Sequence, residues 1–172
     1  MAPSQPQINS ENTQGFNRIE RALAASGGSD YVGDLLVLGA GAGRLSWDIH
    51  ILIKPATTLA LDINPLFAIA AHHLVALQKP LALTELPADL QANLPLQHYW
   101  QLQVPDLNSS SAQNWFFIAA DAWACPLQAH SFDVIVTPWF IDVNGADLRN
   151  LLGLISRLLK PGGRWINSGP LL

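Results

Sequence analysis

Apolar residues fall in short runs broken by glycine, proline and polar turns, and the spacing inside the runs alternates between two kinds. Leu35 to Leu38 is a continuous apolar run that stops at Gly39, the pattern of a strand buried on both faces. Arg44 to Ile53 instead puts Leu45, Ile49 and Leu52 on one helical face. Thr58 to Ile63 reads as a second strand. Asn64 is placed to cap the next helix and Pro65 suits its first position, with Leu66, Ile69, Ala70, Leu74 and Leu77 as the apolar stripe. Trp115 to Ala120 and Phe132 to Thr137 read as the third and fourth strands. Leu148, Leu151, Leu152, Ile155, Leu158 and Leu159 mark an amphipathic helix that Pro161-Gly162-Gly163 ends. Arg164 to Asn167 opens a fifth strand.

The flanks are less regular. Residues 1 to 14 are polar and read as a frayed tail. Residues 15 to 25 form a short helix with Phe16, Ile19 and Leu23 at helical spacing, stopped by Gly27 and Gly28. Residues 79 to 114 carry four prolines and the polar run Asn108 to Asn114, so they read as an insertion with a strand near Tyr99 to Val104. The organisation expected is thus a tail and short helix over 1–33, then one domain over 34–172 with an insertion at about 79–114. Strands alternating with helices imply an α/β fold: a doubly wound, mostly parallel Rossmann-like sheet flanked by helices. Such sheets bind ligands at the carboxyl ends of their strands, where chain order reverses.

Composition narrows the class. Hydrophobic residues make up 49% and charged residues 13%, enough apolar material for a core and too little charge for a disordered chain. The net charge is −4, and the 9 Lys and Arg residues form no basic stripe, which argues against nucleic acid or an anionic membrane surface as the partner. No apolar run approaches the roughly 18 residues of a membrane span. A single cysteine, Cys125, permits no internal disulfide and is read as packing, like Trp47, Trp100 and Trp115. The histidines lack metal-ligand spacing, and His72 and His73 are adjacent. A cytoplasmic protein without a metal centre is expected.

The candidate chemistry sits at the strand ends. Gly39-Ala40-Gly41-Ala42-Gly43 follows the first strand and opens a helix, where glycines allow a sharp turn and close approach of a ligand to the backbone. A dinucleotide loop needs glycine where Arg44 stands; the G-x-G-x-G form resembles the first motif of class I methyltransferases, which bind S-adenosylmethionine. Arg44 is then placed to meet the cofactor carboxylate, or else is a solvated first-turn arginine. Asp62 ends the second strand about 20 residues on, the spacing of a ribose-binding acid. Asp121 ends the third strand in Ala120-Asp121-Ala122-Trp123, where the class I family accepts the adenine amino group and Trp123 covers the ring. The local alternatives are a helix-capping Asp62 and a turn-forming Asp121 beside a core tryptophan.

Two later segments carry a closer resemblance. Phe132 to Asp142 (FDVIVTPWFID) and Leu158 to Leu172 (LLKPGGRWINSGPLL) are similar to the carnosine N-methyltransferase family, as is the glycine loop running into Arg44-Leu45. The likeness spans about residues 35 to 172 and is patchy between 64 and 114. It implies cofactor contacts at Gly39, Ala40, Gly41, Gly43, Arg44, Asp62, Ile63, Asp121, Ala122, Trp123, Thr137 and Pro138. It implies substrate contacts at Trp139, Phe140 and Asp142. The last would orient the imidazole of a histidine-containing dipeptide while its other nitrogen takes the methyl group.

The sequence departs from the family in two places. Val143-Asn144-Gly145-Ala146 stands where the family has Thr-Ala-His-Asn, and the chain stops at Leu172, short of two further strands expected of a class I sheet. A truncated domain is therefore expected, whose fifth strand is an open edge suited to a homodimer or a completing subunit. Three other readings stand beside the first. Thr137-Pro138-Trp139-Phe140 half-matches the Asn/Asp-Pro-Pro-aromatic motif of amino-group methyltransferases, which would make the acceptor another small molecule or a protein. An incomplete domain would bind cofactor without turnover. Hydride transfer is the weakest of the three, for want of the glycine at position 44.

Overall fold

The fully buried run Leu35-Leu36-Val37-Leu38 is the centre of the molecule. Its side chains alternate, Leu35 and Val37 into one core and Leu36 and Leu38 into the other. The computed structural model describes residues 8–27, 33–85, 98–102, 113–141 and 147–169. In chain order the elements are α1 (Ile8–Ala25), β1 (Asp34–Leu38), α2 (Arg44–Ile53), β2 (Thr57–Asp62), α3 (Pro65–Ala71) continuing as a π turn over His72–Ala76, β3 (Leu81–Glu85), β4 (His98–Leu102), β5 (Trp115–Ala119), β6 (Phe132–Pro138), α4 (Leu148–Leu158) and β7 (Leu159–Ser168).

Five strands form one sheet in the order β5-β2-β1-β6-β7, every neighbouring pair parallel. Residues of α1, α2 and α3 pack with Leu35 and Val37 on one face, and α4 packs with Leu36 and Leu38 on the other. The sheet is therefore wound in both directions from β1 and β6, and the reversal between them places a crevice at their carboxyl ends. This is the expected α/β architecture. Trp47 and Trp115 meet edge-on at 5.8 Å in the α2 core. The side chain of Trp100, in β4, lies outside the described residues.

Several expectations need correction. The stretch read as a tail is helical from Ile8; its polar residues form the outer turns of a helix anchored by Ile19 and Leu23, each 1% exposed. Of the α3 stripe, Leu74 packs against the core beside the buried Ala71 and Val75, while Leu66, Ile69 and Leu77 are 68%, 64% and 48% exposed. Within the α-helical part the buried side is that of Ala71, not that of the larger Leu66 and Ile69, and a π turn over His72–Ala76 follows before Leu77. Leu52, Leu148 and Leu152 also lie outside the buried arcs of α2 and α4. Between residues 79 and 114, β4 lies near the expected strand and pairs antiparallel with β3, Leu81 opposite Leu102. β7 begins at Leu159 rather than Arg164, because a register irregularity between Phe132 and Val134 absorbs the Pro161-Gly162-Gly163 turn. Among the described residues β7 pairs only with β6 and is a sheet edge. No helix among them is long and apolar enough to cross a membrane.

The end of the sheet opposite the crevice is tied by charge. Lys160 Nζ donates to Asp133 at 2.7 Å and to Asp34 at 3.1 Å, and the Asp34 N–H donates to Asp133 at 2.7 Å. Partial burial alone would raise the Asp133 carboxyl, but the Lys160 and Asp34 hydrogen bonds together outweigh it and hold it below the ordinary value. A lowered folded-state pKa contributes stability that is complete above the unfolded carboxylate value of about 3.9 and is lost as pH falls through the folded value. Asp133→Asn is expected to lower the melting temperature by about 2–4 °C at pH 7. The gap to wild type should close as a calorimetric pH series passes below about pH 4. A gap independent of pH would assign the effect to packing instead.

Candidate cofactor site

The carboxyl ends of β1, β2, β5 and β6 enclose a cavity of about 540 Å³. Its floor is the loop after β1. Gly39 and Ala40 both donate to the Leu61 carbonyl, at 2.9 and 3.0 Å, which extends the β1–β2 pairing past the strand and bends the chain over β2. Gly39, Gly41 and Gly43 all have left-handed φ, of 69°, 55° and 86°. A Cβ on Gly39 would lie 2.8 Å from the Phe140 ring, and one on Gly43 would lie 3.0 Å from Trp115. Packing therefore demands those two. Gly41 differs: a Cβ there meets nothing within 4 Å and would project into open space beside the cavity it lines.

Asp62 ends β2 and cross-links this floor to the next loop. The Gly41 N–H donates to its Oδ2 at 2.8 Å and the Asn64 N–H to its Oδ1 at 3.0 Å. Each carboxylate oxygen has two lone pairs, so both retain an acceptor site. Helix capping falls to Asn64, whose Oδ1 accepts from the Leu66 N–H at 3.0 Å. Asp121 follows β5 on the exposed rim, and its Oδ1 accepts from the Trp123 N–H at 2.9 Å. Trp123 lies against Phe140, ring centroids 6.4 Å apart and planes tilted by 32°, to form an aromatic wall.

Most of the residues singled out from sequence meet at this cavity. Gly39, Ala40, Gly41 and Arg44 line it from the first loop, and Asp62 and Ile63 from the second. Asp121, Ala122 and Trp123 line it from the third, with Pro138, Trp139 and Phe140 from the end of β6. The Arg44 Nε is bonded to both oxygens of Asp48, at 2.9 and 2.8 Å, so the arginine sits on the rim in an ion pair within its own helix. Two do not line it. Gly43 caps α2 behind the floor. Thr137 is fully buried, its hydroxyl bonded to Asn167 and Trp165. Asp142 lies outside the described residues. Cys125 is buried in the α4 core, and burial pushes its thiol above the ordinary value, in keeping with packing.

Sequence reasoning missed Asn12 and Phe67, which also line the cavity. Asn12 carries no signal of its own, since it lies in a polar stretch whose helix brings it over the sheet. Phe67 had one: an aromatic in the first turn after a strand-end acid and a capping Asn faces the strand ends.

The chain matches the family model for carnosine N-methyltransferase over residues 5–172. The mouse carnosine N-methyltransferase is 27% identical over 144 residues, which cover 81% of this chain and 36% of that protein. The chain thus spans little more than a third of the length of that relative. Among solved structures, phosphoethanolamine N-methyltransferase 2 of Haemonchus contortus, in complex with phosphomonomethylethanolamine and S-adenosylhomocysteine, superposes with a TM-score of 0.62 at 17% identity over 90% of this chain and 27% of the other. A methyltransferase from Geobacter sulfurreducens in complex with S-adenosylhomocysteine gives 0.57 at 16% identity, over 90% and 47%. At these identities the likeness is one of fold, and the fold is that of the class I methyltransferases. The family match runs through the whole sheet and the crevice it carries: the chain belongs to the carnosine N-methyltransferase family.

Proposed function

We propose that this chain binds S-adenosylmethionine in the cavity above β1 and forms the catalytic core of an N-methyltransferase whose acceptor is an imidazole nitrogen of a small histidine-containing dipeptide. The observation that carries the reading is the convergence of Asp62 and Asp121 on one cavity whose floor at Gly41 is bare backbone. The name of the mouse relative supports the acceptor class.

Asp62 accepts the two ribose hydroxyls. Its carboxylate is already held by the Gly41 and Asn64 N–H groups, so little ordering is left to do on binding. Asp121 accepts from the adenine amino group, while Ile63 and Trp123 offer apolar surface to the purine. Arg44 takes the cofactor carboxylate by exchange from Asp48. When bound, the cofactor supplies an electrophilic methyl group on a sulfonium. The protein then has to align a neutral nitrogen with that methyl and keep water out. Trp139 and Phe140 wall the acceptor side. Asp142, two residues past Phe140 in sequence, accepts the N–H of the non-reacting imidazole nitrogen. That bond leaves the lone pair on the attacking nitrogen and stabilises the positive charge that develops on the ring.

Calorimetry with S-adenosylhomocysteine should give micromolar-range binding that Asp62→Ala weakens more than tenfold, equivalent to about 1.4 kcal/mol. Unchanged affinity would remove Asp62 from the ribose. With a histidine dipeptide as acceptor, Asp142→Asn should cut kcat by about a hundredfold and leave cofactor affinity unchanged. Full activity in that variant would show that the imidazole is oriented by another group.

A further inference from the structure

Trp139, the residue after β6, has φ of 48°. A bulky side chain in the left-handed region is strained and persists only where its surroundings leave it no other choice. The main chain supplies part of that constraint. The Trp139 N–H donates to the Ser168 carbonyl at 2.7 Å, and Gly169 comes so near that a Cβ on it would lie 3.2 Å from the Trp139 Cα. On the other side the tryptophan ring presses on α1, where a Cβ on Gly15 would lie 2.6 Å from its Cη2.

A chain of side-chain hydrogen bonds ties together the two strand ends that grip this turn. The Trp165 Nε1–H donates to Thr137 Oγ1 at 2.9 Å, Thr137 Oγ1 donates to Asn167 Oδ1 at 3.0 Å, and Asn167 Nδ2 donates to the Gly169 carbonyl at 3.2 Å. Its direction is fixed chemically. An indole N–H only donates and a carbonyl only accepts, so the amide of Asn167 must turn its Nδ2 to Gly169 and the hydroxyl must donate to Oδ1. Thr137 is 0% exposed, and none of the three side chains lines the cavity. They connect the residue before Pro138-Trp139 with Gly169, the glycine that abuts Trp139.

We propose that Trp165, Thr137 and Asn167 are positioning residues that lock the ends of β6 and β7 and hold Trp139 in its strained turn, fixing the wall that faces the methyl acceptor. The acceptor clause rests on the function proposed above; the conformational clause does not. Removing the Thr137 hydroxyl leaves the Trp165 N–H and the Asn167 Oδ1 without partners, and the turn is then free to relax.

The test uses protein labelled with 5-fluorotryptophan, with the Trp139 resonance assigned through Trp139→Phe. Wild type should give one narrow Trp139 line. In Thr137→Val that line should split or broaden while those of Trp47 and Trp115, in the α2 core, stay in place. Thr137→Ser, which keeps the hydroxyl, should restore the single line. Asn167→Ala, at a partly exposed position, should repeat the effect and decides the matter alone if Thr137→Val does not fold. A merely structural role would lower the melting temperature and leave the Trp139 line unchanged, and that result overturns the proposal. In assays with a histidine dipeptide, Thr137→Val should raise the acceptor KM at least about tenfold and leave S-adenosylhomocysteine affinity within about twofold. The spectra need no methyl acceptor. A split line with no wild-type transfer to any dipeptide would sink the acceptor reading and leave the positioning claim standing.

Discussion

One carboxylate holds the crevice together. Asp62 accepts the N–H of Gly41 with one oxygen and that of Asn64 with the other, and so joins the loop after β1 to the loop after β2. Without it, no side chain would tie Gly41 to the start of α3. With it, the floor of the cavity, the start of α3 and the acid itself keep a fixed relation. The Leu61 carbonyl reinforces the same joint by accepting from both Gly39 and Ala40. A buried parallel sheet makes this economical, because the strand ends already lie side by side and a short side chain spans them.

Backbone sterics shape what surrounds that joint. The three left-handed glycines let the chain turn from β1 into α2 within five residues, and of the three only Gly41 has open space where a Cβ would stand. At the other side of the crevice the strained residue is a tryptophan, held between α1 and the end of β7. The two walls therefore differ in kind: a pinned glycine floor leaves its backbone bare for close approach of a ligand, and a clamped aromatic presents a fixed surface opposite it. Charge at the far end of the sheet, from Lys160 to Asp34 and Asp133, secures β1, β6 and β7 away from the chemistry.

Much of this was legible in the residues. Short apolar runs bounded by glycine, proline and polar turns marked β1, β2, β5 and β6, since their length and flanks suit strands, and the turn at Pro161 to Gly163 marked the fifth. Gly39 to Gly43, Asp62 and Asp121 were visible because a doubly wound fold puts strand ends at the crevice, whatever fills it. Three things were hidden for physical reasons. The buried arc of α3 passes through the small side chain of Ala71 and through Val75, which a stripe drawn through the larger Leu66 and Ile69 does not reveal. The start of α1 lies in polar residues whose periodicity is silent, and Asn12 went with it. Thr137 was expected at the cofactor, but strand alternation turns its hydroxyl to Trp165 and Asn167. Two residues of the Trp-Ile-Asn segment that carried the family resemblance are thereby tied to Thr137, next to the Pro138-Trp139-Phe140 run that lines the cavity.

The central claim is that Asp62 fixes the floor and offers its remaining lone pairs to a sugar. A crystal structure with S-adenosylhomocysteine tests it most directly. The expected result is both ribose hydroxyls on the Asp62 carboxylate, the Gly41 N–H still bonded to Oδ2, and the purine between Asp121 and Trp123. A nucleoside seated elsewhere, or a carboxylate that has let go of Gly41 in order to bind it, would contradict the claim.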